Sequence, residues 1–189
     1  MVIYKETYDS LVEIFNISTK ENKPVIFPTD TIYGIGANIV SKKANLEIYK
    51  LKNRPSNKPF PILAGSIEQL EEIADISSLT QKNYNFLKEN YNKCNTFILP
   101  VKDNLDEMYK QNSTVAIRIP DKKILSDMLA KNNMFITATS VNESGKPFIN
   151  SLGLIIKEFK TVDLFVYGSI RSKSSNIYDI SKNDIIQIR

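Results

Sequence analysis

Apolar and polar positions along the chain predict interleaved helices and strands. From Tyr8 to Lys20 the apolar residues Leu11, Val12, Ile14 and Phe15 group as one helical face. Val25-Ile26-Phe27 is a short unbroken apolar run closed by Pro28, the pattern of a buried strand. Tyr33 to Ile39 predicts a second strand. Ser41 is placed to cap a helix from Lys42 to Asn53 with Ala44, Ile48, Tyr49 and Leu51 on its apolar side, and Pro55 stops it. A strand at Phe60–Ala64 and helical patterns at Ile67–Ile76 and Leu79–Tyr91 follow. Strands are expected at Thr96–Val101 and Thr114–Ile119, a helix at Lys122–Asn132, and a strand at Met134–Thr139. A short helix near Leu152–Phe159 and three short strands, Leu164–Tyr167, Asn176–Ile180 and Ile185–Arg189, complete the pattern. Such interleaving argues for an α/β domain on one large mixed sheet, and the C-terminal cluster of short strands argues against a pure doubly wound order.

Composition narrows the chemistry mainly by what is missing. With 189 residues, 42% apolar and 24% charged, and no repeat, low-complexity tract or linker, one compact domain over 1–189 is expected. The absence of histidine removes a Ser-His-Asp triad, a histidine base and histidine-ligated metals. Cys94 is the sole cysteine, so intrachain disulfides and thiolate clusters are excluded, and a reducing, cytoplasmic setting is expected. Cys94 reads as a core or loop thiol without a redox role. No apolar run reaches the roughly 18–20 residues of a membrane span, and the start, with Lys5, Glu6 and Asp9, lacks a secretory h-region. The net charge of +4 suits an anionic small ligand or a weak nucleic-acid surface without choosing between them. Arginine is scarce: Arg54, Arg118, Arg171 and Arg189. Chemistry must rest on cations, hydroxyls, carboxylates, amides and backbone.

Four segments carry candidate chemistry. No Walker A loop exists, and Gly34-Ile35-Gly36 lacks the third glycine of a dinucleotide fingerprint. Pro28-Thr29-Asp30-Thr31-Ile32-Tyr33-Gly34 places hydroxyls, a carboxylate and a phenol at a strand end, where α/β sheets bind ligands; it is also ordinary turn chemistry. Lys50 to Pro59 gathers Lys50, Lys52, Arg54 and Lys58 at a helix end and a proline-bracketed loop, either to offset the helix macrodipole or to grip phosphate. Thr137 to Pro147 runs a strand into small hydroxyl residues, an amide and Gly145, as a site or a polar corner. In Ser113–Pro120 alternation puts Thr114, Ala116 and Arg118 on one face and Val115, Ile117 and Ile119 on the other.

Taken in order, Pro-Thr-Asp-Thr-x-Tyr-Gly-x-Gly, Lys-x-Arg-Pro, Val-Ala-x-Arg-x-Pro and Ser-x-Asn-x-Ser-Gly resemble the YrdC/Sua5 family of threonylcarbamoyl-AMP synthases, from about Tyr8 to Arg189. The resemblance implies a single-domain, YrdC-like (DHBP synthase-like) α/β fold: a twisted open mixed sheet flanked by helices, with a concave basic cavity. It implies that L-threonine, bicarbonate or CO2, and ATP give threonylcarbamoyl-AMP and diphosphate, with Mg2+ carried on the ATP phosphates and no metal held by protein side chains. A downstream threonylcarbamoyl transferase complex would receive the product for adenosine 37 of tRNA. The hallmark tetrad corresponds to Lys52, Arg54, Ser140 and Asn142. ATP contacts are implied at Arg54, Lys58, Thr114, Ser140, Asn142, Ser175 and Arg189, and threonine contacts at Thr31, Tyr33, Arg118 and Ala138. The family's Pro-Gly-Pro turn is replaced by Asn92-Lys93-Cys94-Asn95, some members have histidine at Leu63 or serine at Phe148, and Asn176 replaces the usual threonine. A module of the same fold binding double-stranded RNA or tRNA without catalysis is the alternative, with salt-sensitive binding as its sign. A hydrogenase-maturation relative is disfavoured because Cys-rich motifs are absent.

Overall fold

The strand Val25–Pro28 (β2) is apolar at every position, and the first half of the molecule is built around it. In a computed structural model, which describes residues 1–189, β2 is buried along its whole length. Val25 and Phe27 face one core and Ile26 the other, as the alternation of a strand requires. The first core lies against α1 (Tyr8–Glu21) and α5 (Lys123–Lys131), through Leu11, Ile14, Phe15, Leu125, Met128 and Leu129. On the opposite side are α2 (Lys42–Leu51) and α6 (Leu152–Glu158), through Ala44, Ile48, Tyr49 and Ile155. This half is a sheet between two helical layers.

Two sheets, rather than the single one expected, carry the strands. The first has the order β1-β9-β2-β3-β8, with β1 at Val2–Lys5, β9 at Leu164–Tyr167, β3 at Tyr33–Gly36 and β8 at Thr139–Ser140. The second runs β11-β10-β5-β6-β4-β7, with β11 at Ile186–Gln187, β10 at Asn176–Asp179, β5 at Asn95–Pro100, β6 at Thr114–Arg118, β4 at Ile62–Leu63 and β7 at Ile136–Thr137. Both mix parallel and antiparallel pairs. A third core beneath the second sheet joins Phe97, Leu99, Val115 and Ile117 to Leu70 and Leu87, from α3 (Ile67–Ile73) and α4 (Gln81–Asn90).

The sheets meet at residues 136–140. β7 pairs with β4 in one sheet, and two residues later β8 pairs with β3 in the other. Ala138, between them, donates its amide to the Pro61 carbonyl at 2.9 Å. Gly36 permits the approach: a Cβ there would sit 1.8 Å from the Thr137 carbonyl oxygen. Sequence periodicity predicts one strand at Met134–Thr139 because nothing in it marks this change of partner.

The helix boundaries follow local chemistry. Thr7 and Ser10 form a reciprocal capping box at α1, and Asn22 ends it in the left-handed region with φ 55°. Ser41 does stand at the N-terminus of α2, but its hydroxyl donates to Asn22 Oδ1 at 3.0 Å instead of capping. β1 escapes the sequence reading because it is an edge strand whose Val2 and Ile3 remain exposed. No helix is long and apolar enough to cross a membrane.

Candidate active site

The turn joining β2 to β3, Thr29–Ile32, is buried throughout, which is unusual for a connection carrying two hydroxyls and a carboxylate. Most of its polar groups are held locally or by Arg118. Thr29 Oγ1 donates to the Ile32 carbonyl at 2.7 Å and accepts from the Thr31 and Ile32 amides. Because that donation uses the Thr29 proton, the 2.8 Å contact between the two hydroxyls runs from Thr31 to Thr29. Arg118, at the end of β6, donates from Nη1 to Thr31 Oγ1 at 2.9 Å and from Nη2 to Asp30 Oδ2. The Arg118–Asp30 pair is almost fully desolvated, yet Arg118 Nε and Asp30 Oδ1 have no partner. A buried pair gains from additional hydrogen bonds to such remaining groups.

A second cluster forms where α2 ends. Lys52 is 2% exposed. Its Nζ donates to the Ser140 carbonyl at 2.5 Å, the Asn142 carbonyl at 2.7 Å and Asn142 Oδ1 at 2.9 Å. All three ammonium protons therefore have acceptors. Burial, with the nearby Arg54 charge, pushes Lys52 down to about 8. Ser140 Oγ donates to the same Asn142 Oδ1 at 2.6 Å, so Lys52 and Asn142 together fix the serine. Arg54 folds its own loop: Nε donates to the Lys58 carbonyl at 2.8 Å, Nη2 to that of Pro59 at 3.2 Å, and the guanidinium lies 5.1 Å from the Phe60 ring centroid. The lysine-arginine motif is thus divided, one cation facing inward and one toward the cavity.

The C-terminal strands make the third wall. Thr96 Oγ1 and Ser175 Oγ are 3.0 Å apart across the β5–β10 pair. Arg189 Nε donates to the Ser175 carbonyl at 3.1 Å, which ties the last residue to this wall.

These walls enclose a cavity of about 320 Å3, on the scale of a small-molecule site. Three of the chain's four arginines, Arg54, Arg118 and Arg189, line it, and no acidic side chain does. Burial lowers Arg54, and burial together with Arg118 lowers Arg189. An anion would relieve this crowding of cations. Side chains from the opposing walls, Thr31, Ser140 and Ser175 among them, offer hydroxyls. No group of three or more His, Cys, Asp or Glu side chains is placed to hold a metal ion.

Of the residues singled out from sequence, Thr31, Arg54, Arg118, Ala138, Ser140, Ser175 and Arg189 line this one cavity. Lys52 and Asn142 lie behind it and support Ser140. Three others lie off it. Tyr33 donates its hydroxyl to the Gly168 carbonyl at 3.1 Å, Thr114 donates to the Gln111 carbonyl at 2.7 Å, and Lys58 is exposed. Thr139, within the candidate segment 137–147, lines it too, and Thr96 and Ser174, not singled out from sequence, also do. The interstrand register that opposes Thr96 to Ile177 is the signal for Thr96, and it is not visible along the sequence.

Fold and site together define an α/β domain with an arginine-lined cavity at a junction of two sheets. A family model for Sua5/YciO/YrdC, described as "Telomere recombination", matches residues 18–189, and the chain belongs to that family. It is 37% identical over 130 residues to the threonylcarbamoyl-AMP synthase of Bacillus subtilis, covering 68% of this chain and 37% of that protein. The threonylcarbamoyl-AMP synthase of Mannheimia succiniciproducens is 30% identical over 173 residues, covering 89% of this chain and 93% of the relative. The crystal structure of Pyrococcus abyssi Sua5 complexed with L-threonine superimposes with a TM-score of 0.85 at 27% identity, covering all of this chain and 57% of that one. The chain thus spans well under two thirds of the Bacillus and Pyrococcus relatives.

Proposed function

We propose that the protein is a threonylcarbamoyl-AMP synthase: L-threonine, bicarbonate or CO2, and ATP give threonylcarbamoyl-AMP and diphosphate. The observation that carries this reading is the convergence of Arg54, Arg118 and Arg189 on one cavity without an acidic side chain in its lining. The threonine amine takes up CO2 as a carbamate and loses a proton. A carbamate oxygen then forms a bond to the α-phosphorus of ATP while the bond to diphosphate breaks. The carbamate, ATP and the departing diphosphate are all anionic, so catalysis asks for positioning and cations rather than a histidine base.

Arg118 is assigned to the threonine carboxylate, with Thr31 and the Ala138 backbone beside it. Its place in the lining and the Nη protons left over from Thr31 and Asp30 support this. Arg54, Ser140, Ser175 and Arg189 are assigned to the nucleotide. Lys52 and Asn142 act through Ser140 as positioning residues. Mg2+ fits as a companion of the ATP phosphates: no acidic side chain lines the cavity, and Asp30 behind it is already paired with Arg118. When bound it would neutralise phosphate charge. The product is a labile mixed anhydride, which calls for a transferase that accepts it promptly, with tRNA as the final acceptor.

Diphosphate release from ATP, with and without L-threonine and bicarbonate, tests the proposal beside Arg54→Ala and Lys52→Ala. Release that needs both substrates and falls in both variants is expected. Release that ignores threonine, or retention of RNA without release, would overturn it. A cavity of small-molecule size with three inward-facing arginines supports the enzyme reading over the RNA module.

A further inference from the structure

We propose that Cys94 is a positioning residue for this reaction: its thiol, oriented by Arg171, fixes the Asp30 carboxylate that aims Arg118 into the cavity. The proposal rests on the assignment of Arg118 to the threonine carboxylate. Cys94 sits just before β5 with φ 56°, in the turn where the chain departs from the family's proline-glycine pattern. Its Sγ lies 3.2 Å from Asp30 Oδ2, the oxygen that also receives Arg118 Nη2. Arg171 Nη1 donates to Sγ at 2.9 Å, while Nη2 of the same guanidinium meets Asp121 at 2.8 Å. The sulfur is therefore an acceptor toward Arg171, and its proton is directed to Asp30. Burial and the adjacent carboxylate raise the thiol above its ordinary value, so it keeps that proton.

The geometry makes Cys94 consequential. The Asp30 side chain is 1% exposed, and its Oδ1 has no partner. Oδ2 alone holds the carboxylate through two donors, Arg118 and Cys94. Without the thiol, the carboxylate can rotate about its single remaining donor, and the Arg118 fork follows. Arg171 and Asp121 are more than two-fifths exposed, so the chain of contacts runs from the surface to the cavity floor.

Calorimetric titration with L-threonine and, separately, ATP decides the proposal on wild type, Cys94→Ala, Cys94→Ser and Arg171→Gln. Loss of one hydrogen bond to a charged group is expected to weaken threonine binding by about tenfold in Cys94→Ala. Affinity for ATP should stay within about twofold, and Cys94→Ser, which keeps a donor, should restore threonine binding. Unchanged threonine affinity in Cys94→Ala overturns the proposal, as does an equal loss for both ligands. Should Cys94→Ala fail to fold, Arg171→Gln is read instead: weaker threonine binding supports the proposal and no change overturns it. Should the wild type bind no threonine, the synthase reading falls separately. The contact is then decided by urea unfolding of a Cys94→Ala, Asp30→Asn double-mutant cycle, in which additive effects overturn it and coupling supports it.

Discussion

Lys52 and Arg118 are both buried cations, at 2% and 6% exposure, and they do opposite work. Lys52 has an acceptor for each of its protons, all from the Ser140–Asn142 turn, and it does not line the cavity. Arg118 spends two of its five N–H groups on one hydroxyl and one carboxylate, and does line it. The lysine is a fastener whose bonding capacity is exhausted inside the fold. The arginine is anchored on one side and retains capacity for a ligand. Donor counts separate the two roles where burial and charge do not.

The sharpest break of this contrast is Arg118→Ala. Losing two or more charge-assisted bonds to a carboxylate, at about 1.5–3 kcal/mol each, should cut kcat/KM for threonine by about a thousandfold. A change below about tenfold by the same rate measure would make Arg118 another fastener. Lys52→Met should act first on the fold. It takes the ammonium from the Ser140 and Asn142 carbonyls, while Asn142 Oδ1 keeps the Ser140 hydroxyl, and it removes a buried charge, so urea unfolding should show a net loss of about 2 kcal/mol. Unaltered stability would end the fastener reading.

The same lysine gives a pH test. Its folded value of about 8 lies below the ordinary 10.5, so from about pH 8 to 10.5 the unfolded chain binds more protons than the folded one. Its contribution to stability is therefore complete above the unfolded value and is lost as pH falls through about 8. The rise in stability across that window should be absent from Lys52→Met in urea titrations. Ser140→Ala, which removes a cavity hydroxyl while leaving Lys52 bonded to backbone, should raise KM for ATP by about fivefold, with stability changed by less than about 1 kcal/mol. Smallest of all, Lys58→Ala should leave KM for ATP within about twofold, because the exposed side chain is absent from the cavity and only its carbonyl serves Arg54.

Much of this was legible in the sequence because the strongest signals are local. The α1 face, the all-apolar β2 and the alternation of β6 each follow from neighbouring residues, and their boundaries hold to within a few positions. The division into two sheets was not legible, since the choice of partner by β7 and β8 depends on Gly36 and Pro61, remote in the chain. For the site, the segments were visible and the direction of each side chain was not. Lys52 and Arg54 are two residues apart, yet one points into the fold and the other toward the cavity, because α2 ends at Leu51 and Asn53 between them turns the chain at φ 47°. Thr96 needed the β10 register before it could be recognised.

The place where the sheets exchange partners also governs how the chain can change length. A residue added between Thr137 and Thr139 would reverse the side-chain alternation of one sheet relative to the other and displace Ala138 from the Pro61 carbonyl. The loop carrying Phe148 belongs to neither sheet and closes the same cavity from an exposed position. Insertions and deletions that reshape the pocket therefore have one permissive entrance, at the rim, while the midline between the sheets holds a fixed count of residues.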